Sequence, residues 1–203
     1  MDLYEFDDGF RGKGYKRVAG IDEAGRGPIA GPVVAGAVVL PSGRRFKSLR
    51  DSKLVPEPER KRLFFEILAH SIDIGVGIVG VDEIERLNIL GATRLAMATA
   101  VRNLSTKPDI VLIDAVKIPS LEIEQITPFK GESKSASIAA ASIVAKYIRD
   151  SLMGFYHALY PQYGFDRHKG YCTEEHIKAL NTYGPCPIHR RGFRKVMTLS
   201  LPF

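Results

Sequence analysis

Residues 109–115 read "DIVLIDA": four large apolar side chains in a row, closed by an aspartate. A strand with no polar face cannot lie at the wetted surface of a sheet. It must be covered on both sides, and helices supply that cover in α/β proteins. This one segment therefore predicts an α/β fold built around a buried central strand.

The neighbouring sequence supplies the other layers. "RVAGIDEAG" (17–25) reads as a strand entering a glycine turn, and "PVVAGAVVLP" (32–41) as a valine-rich strand closed by proline. "IDIGVGIVG" (72–80) is a third strand with Gly75 and Gly77 on one face, where a neighbour packs closely, and "IEQITPF" (123–129) is placed beside 109–115. Apolar residues at helical spacing predict a helix starting near Glu57 and a long amphipathic one over 81–104, with Asp82 as its N-cap. A second long helix follows over 133–160, rich in small residues along its first half. From Pro161 aromatic residues alternate with bases and only short helical segments remain. We read 1–155 as the α/β domain and 156–203 as a small helical C-terminal extension. A chain of 203 residues, 45% of them hydrophobic, suffices for one domain with such an appendage.

The acids at the strand ends demand an explanation. In "GIDEAGRG" (20–27) two carboxylates stand side by side in an apolar strand, where desolvation and mutual repulsion both cost free energy. Neighbours in a regular strand point to opposite faces, but the glycine at 25 lets the chain turn sharply. A divalent cation would offset the repulsion; an ion pair with Arg26 or a solvated edge is the alternative. Asp114 closes a second strand, and α/β sheets gather their sites at the carboxyl ends of strands. Glu132, in "FKGESKSAS", sits where the second long helix begins and can project toward those ends. Its rival Asp150 reads as a solvated partner of Lys146 at i,i+4 spacing. An oxygen cluster of this kind suits Mg²⁺ or Mn²⁺ better than Zn²⁺.

The formal charge of +6 is modest, but its distribution is one-sided: no acid follows Glu175, while Lys178, Arg190, Arg191, Arg194 and Lys195 do. That pattern predicts a surface facing phosphates. The N-terminal "MDLYEFDDGF" is acidic and has no apolar signal core, and "IAGPVVAGAVVL" (29–40) is too short to span a bilayer, so a cytoplasmic protein without membrane contact is expected.

Taken in order from about residue 18 to about 195, "GIDEAGRGPIAGPVVAGAVVL", "DSK" (51–53), "LIDA", "SIAAASIVAKYIRD" and "YGFDRHKGY" resemble the type 2 ribonucleases H, the ribonuclease HII family. The resemblance implies a ribonuclease H-like α/β fold, a mixed sheet flanked by helices with a helical C-terminal extension. It implies a metal-dependent endoribonuclease that cuts the RNA strand of RNA–DNA hybrids, or cuts 5′ of ribonucleotides embedded in duplex DNA. The family's metal-binding acids fall on Asp22, Glu23 and Asp114. Its fourth acid, usually Asp, falls on Glu132, which is one methylene longer. Two-metal logic then assigns one cation to the attacking water and another to the leaving 3′-oxygen, giving 3′-hydroxyl and 5′-phosphate ends.

The resemblance also gives the substrate contacts. Gly25, Arg26 and Gly27 offer backbone that can approach a ribose and its 2′-hydroxyl, and Tyr171 matches a family tyrosine that stacks on the sugar at an RNA-to-DNA junction. Lys53 and Lys169 are expected on phosphate. Ser133, Lys134 and Ser135 begin a helix whose N–H groups would favour an anion. Cys172, His176, Cys186 and His189 do not have the spacing of common structural zinc sites and are read as coincidence. The terminal "MTLSLPF" is similar to peptides that bind the sliding clamp, although Thr198 stands where Gln is usual, so residues 198–203 carry a clamp-binding expectation. With the acid pair at residues 22 and 23, the N-terminal domain of type 3 relatives is not expected here. The competing readings are an inactive RNA–DNA hybrid-binding module and another ribonuclease H-like nuclease. A monomer is expected by default.

Overall fold

The computed structural model describes residues 2–114 and 116–197. Among them the chain forms a five-stranded mixed sheet flanked by helices, with short helices following at its C-terminal side. In chain order the elements are α1 (Leu3–Arg11), β1 (Val18–Ala24), β2 (Val33–Val39), α2 (Glu57–His70), β3 (Asp73–Val79), α3 (Val81–Arg102), β4 (Ile110–Ile113), β5 (Glu124–Ile126), α4 (Ala136–Leu159), α5 (Phe165–His168), α6 (Glu174–Tyr183) and α7 (Arg194–Met197). The sheet order is β3-β2-β1-β4-β5. β1 runs antiparallel to β2 and parallel to β4, and β4 runs parallel to β5.

β4 is buried along its whole length, as its composition requires. α3 covers one face of the sheet together with Ala19, Ile21, Val111 and Ile113. The opposite face, bearing Val18, Ile110 and Leu112, packs on Ile138 of α4 and on Phe6 and Phe10 of α1. Close approach is built in on both sides. A methyl on Gly75 or Gly77 would overlap the carbonyl of Ala100 or Ala96 in α3, and one on Gly20 would overlap the backbone of Ser137 in α4.

Three local expectations need correction. Asp82 is not the N-cap of α3. Gly80 holds that position in extended conformation without a side-chain cap, because β3 leads straight into the helix, and Asp82 sits in the first turn, where its charge suits the helix dipole. Nor is α3 continuous: Asn88 has φ 58° and ψ 172°, and its Oδ1 accepts from the N–H groups of Leu90 and Gly91, so it recaps the second half of the helix. Finally, the N–H groups of Ser133, Lys134 and Ser135 do not face an anion but donate to the carbonyls of Lys130 and Gly131, and the first turn of α4 is capped from within the chain. Ser135 Oγ accepts from Ile138 N–H, and Asp7 of α1 accepts from both N–H and Oγ of Ser137 at 2.8 and 2.7 Å.

No helix among the described residues is long and apolar enough to cross a membrane. The clamp-binding expectation for 198–203 lies outside the described residues.

Candidate metal centre and its surroundings

Parallel pairing of β1 with β4 sets Ile21 beside Ile113, so the next residues, Asp22 and Asp114, emerge together at the carboxyl ends of the two strands. The N–H of Asp114 donates to the carbonyl of Ile21 at 3.2 Å and fixes this relation. Strand alternation decides the rest. Val18 and Leu112 face α4 and α1, whereas Ile21 and Ile113 face α3, so Asp22 and Asp114 share the α4 side. Glu132 arrives on that side from a 3₁₀ turn over Gly131–Ser133, just ahead of α4. One carboxylate oxygen from each of Asp22, Asp114 and Glu132 lies within 4.8 Å of the others.

Glu23, the other half of the adjacent pair, is set apart by the same alternation. Its Oε1 accepts from Arg26 Nη1 at 3.2 Å, while its charge still acts on Asp22 and feels that of Asp114. Asp150 pairs with Lys146 at 2.6 Å as expected but is half-buried rather than solvated, because Arg60 of α2 reaches it at 3.1 Å.

The donor chemistry fits a hard divalent cation. Asp22 Oδ1 accepts from Glu23 N–H and Asp114 Oδ1 accepts from Gly131 N–H, both at 2.8 Å, and each carboxylate keeps its second oxygen for a ligand. Burial, then the negative charges of Glu23 and Asp114, hold the Asp22 carboxyl well above the usual carboxylate range. Burial also raises Glu23, against the opposing pull of Arg26. Glu132 is pushed up to about 7 by partial burial and a hydrogen bond with Asp51, while Lys53 Nζ, 3.1 and 3.3 Å from its two oxygens, works the other way. Carboxyls this reluctant to ionise together are what a cation would relieve.

Of the expected substrate residues, Lys53 bonds Glu132 of the cluster and Arg26 bonds Glu23. Arg26 and Gly27 are exposed on a ridge directly after β1, and Gly25 turns the chain there with φ 105°. Tyr171 is exposed, and its Cε1 lies 3.6 Å from where a Cβ on Gly27 would stand. Lys53 is exposed on a 3₁₀ turn over Ser52–Leu54. Lys169 turns its ammonium back onto the carbonyl of Asp166 at 2.7 Å.

Two arginines were not legible in the sequence. Arg190, read there as part of a phosphate-facing arm, is wholly buried, as is Arg149 of α4, and both donate to backbone carbonyls of residues 25–32. Their charges cannot be told from surface charges by composition, since the carbonyls that compensate them are not residue-specific.

Of the four-residue Cys/His set, Cys172 is exposed, and the rest form a hydrogen-bonded chain. His176 Nδ1 faces the carbonyl of Tyr171 at 2.8 Å and must donate to it, so its Nε2 accepts from His189 Nε2–H at 2.9 Å. His189 Nδ1 then accepts from Cys186 N–H at 2.9 Å. Both imidazoles are thus neutral with every nitrogen engaged, and burial holds each down to about 4.

Comparison with known proteins agrees with this architecture. The family model for Ribonuclease HII matches residues 19–196. A ribonuclease HII from Acetivibrio thermocellus is 53% identical over 183 residues, covering 90% of this chain and 72% of that protein. One from Chlamydia muridarum is 49% identical over 193 residues, covering 94% and 88%. Among solved structures, ribonuclease H2 from Pyrococcus horikoshii superposes with a TM-score of 0.77 at 26% identity, over 90% of this chain and 96% of that one. A Bst-RNase HIII structure in complex with Mn²⁺ shares the fold, with a TM-score of 0.67 at 18% identity, over 90% and 68%. With a family-wide sequence match laid over a mixed sheet whose adjacent strand ends converge in carboxylates, the chain belongs to the ribonuclease HII family of endoribonucleases.

Proposed function

We propose that this protein hydrolyses the RNA strand of RNA–DNA hybrids and cuts on the 5′ side of ribonucleotides embedded in duplex DNA, leaving 3′-hydroxyl and 5′-phosphate ends. The observation that carries the reading is the convergence of Asp22, Asp114 and Glu132 within 4.8 Å, with Asp22 on a strand that runs on into the exposed Arg26 and Gly27 and with Tyr171 beside Gly27. Asp22, Asp114 and Glu132 would hold Mg²⁺ or Mn²⁺, with Glu23 as the fourth acid. A divalent ion bound there supplies Lewis acidity for attack on a phosphodiester.

The chain's own groups do the rest. Asp22 and Asp114 are oriented by backbone N–H donors, so their free oxygens need no reorganisation. Backbone at Gly25, Arg26 and Gly27 meets the ribose and distinguishes a 2′-hydroxyl from hydrogen. Tyr171, beside Gly27, offers a flat face to the sugar at the junction, and Lys53 and Lys169 meet phosphate. In this reading 1–155 is the catalytic unit and 156–203 the substrate-binding extension.

The test is cleavage of a DNA duplex carrying one ribonucleotide, with Mg²⁺ or Mn²⁺ and an EDTA control, and with the product ends mapped. Metal-dependent cutting 5′ of the ribonucleotide is expected. Cutting of long hybrids alone would remove the junction roles of the ridge and Tyr171. Binding without cutting would favour a hybrid-binding module.

A further inference from the structure

In a trans peptide, the carbonyl of one residue and the N–H of the next point in opposite directions. Whatever draws the carbonyls of Gly25 and Arg26 inward therefore turns the N–H groups of Arg26 and Gly27 outward. Arg190 does the drawing. Its Nη2 donates to Gly25 O at 2.6 Å and its Nη1 to Arg26 O at 3.2 Å. The same guanidinium holds Pro28 O at 2.7 Å and Gly31 O at 2.8 and 2.9 Å. Arg149 stands behind it and holds Ala30 O at 3.1 Å, Pro32 O at 3.0 Å and Lys169 O at 3.0 Å.

The arrangement is costly. Among the described residues neither guanidinium has a carboxylate within ion-pair distance, and burial beside Arg149 pushes Arg190 down to about 9, still protonated at neutral pH. Charge-assisted bonds to carbonyls offset that cost. The inner part of the loop has other ties as well: Ile29 N–H donates to Gly170 O at 2.9 Å and Gly31 N–H to Ile188 O at 2.8 Å. The N–H groups of Arg26 and Gly27 have no acceptor among the described residues, and both residues are exposed. Two outward N–H groups on a ridge with no side chain at Gly27 suit an oxygen acceptor on a closely approaching ligand.

We propose that Arg190, backed by Arg149, is a positioning residue for ribose recognition: by holding the carbonyls of Gly25 and Arg26 inward it aims the N–H groups of Arg26 and Gly27 at the substrate's 2′-oxygen. This rests on the reading that the ridge meets the ribose. Only arginine serves, because the five donors of its planar fork reach carbonyls on several sides at once, whereas an ammonium offers three donors at one point.

The experiment compares wild type with Arg190→Lys. Fluorescence anisotropy measures binding to two labelled duplexes that differ by a single 2′-hydroxyl, and calorimetry measures Mn²⁺ affinity. Wild type is expected to prefer the ribonucleotide duplex. Arg190→Lys is expected to lose that preference by about tenfold or more, the equivalent of one substrate hydrogen bond, with Mn²⁺ affinity unchanged. A cooperatively melting Arg190→Lys that keeps the full preference overturns the inference. If Arg190→Lys does not melt cooperatively, Arg149→Lys is compared in the same way; it leaves every Arg190 bond in place, a partial loss of preference is expected, and no loss overturns the inference. A wild type with no preference refutes the reading of the ridge itself, which separates the two failures.

Discussion

Asp22 and Asp114 reach one site from strands far apart in sequence because Asp114 N–H is bonded to the carbonyl of the residue before Asp22, at 3.2 Å. The pairing of β1 with β4 thus writes the geometry of the carboxylate cluster into the sheet. Its energetic signature is the raised Asp22 and Glu132, which bear on stability as well as on chemistry.

Those raised acids make metal-free stability depend on pH. A carboxyl whose folded value exceeds its unfolded value contributes stability that is full below the unfolded value and is lost as pH rises through the folded one. For Glu132 the window runs from 4.5 to about 7. In EDTA the melting temperature should respond to this loss across that window, and Asp22→Asn should weaken the dependence. Saturating Mn²⁺ should raise the melting temperature more at pH 8 than at pH 5.5; about 100 times Kd gives roughly 2.7 kcal/mol. Thermal melts at the two pH values check both expectations.

Opposite behaviour is expected from the histidine chain. His176 and His189 are held down to about 4 from 6.5, so their stabilising contribution is full above 6.5 and falls away as pH drops through about 4. An added proton would set two N–H groups against each other between the rings, or an N–H of His189 against that of Cys186. Local opening that frees the two rings to take up protons should become easier as pH falls, and Tyr171, whose carbonyl is held by His176, opens with them. Amide hydrogen exchange at residues 168–172, compared at pH 7 and pH 5, should show protection against opening lost at the lower pH after correction for intrinsic rates.

Gly77→Ala tests the packing that places the sheet. The added methyl would overlap the Ala96 carbonyl of α3, backbone that cannot swing aside. Overpacking of this kind costs about 3 kcal/mol, or roughly 10 °C in melting temperature for a chain of this size. Gly154→Ala is the control, since nothing lies within 4 Å of its added methyl and no loss is expected.

The close packing at Gly77 also marks what a sequence can reveal. β4 and the glycine face of β3 were legible because apolar runs and alternating glycines carry their packing in local pattern. That Glu23 leaves the strand on the opposite side from Asp22 follows from alternation, given that β1 continues to Ala24. Leu3, Phe6 and Phe10 of α1 recur at helical spacing, but the acids between them mask the apolar stripe in the sequence. Its buried Asp7, which caps α4 across the fold, belongs to a contact that no local pattern encodes. The reversal at Arg190 has the same origin: backbone carbonyls gathered from a distant loop leave no mark in side-chain composition.

Cleavage of an RNA–DNA hybrid by Asp114→Asn over a Mn²⁺ titration, alongside its melting temperature in EDTA, tests whether the cluster built on Asp22 and Asp114 is the catalytic metal centre. Amide for carboxylate keeps the shape and removes one of the mutually repelling charges. Activity is expected to fall by a factor of about 100 or more at every Mn²⁺ concentration, the scale of losing a principal electrostatic contributor, with a metal-free melting temperature no lower than wild type. A variant that cleaves within about twofold of wild type would contradict that role for the cluster, since that is too small a change to reflect the loss of a metal-holding carboxylate.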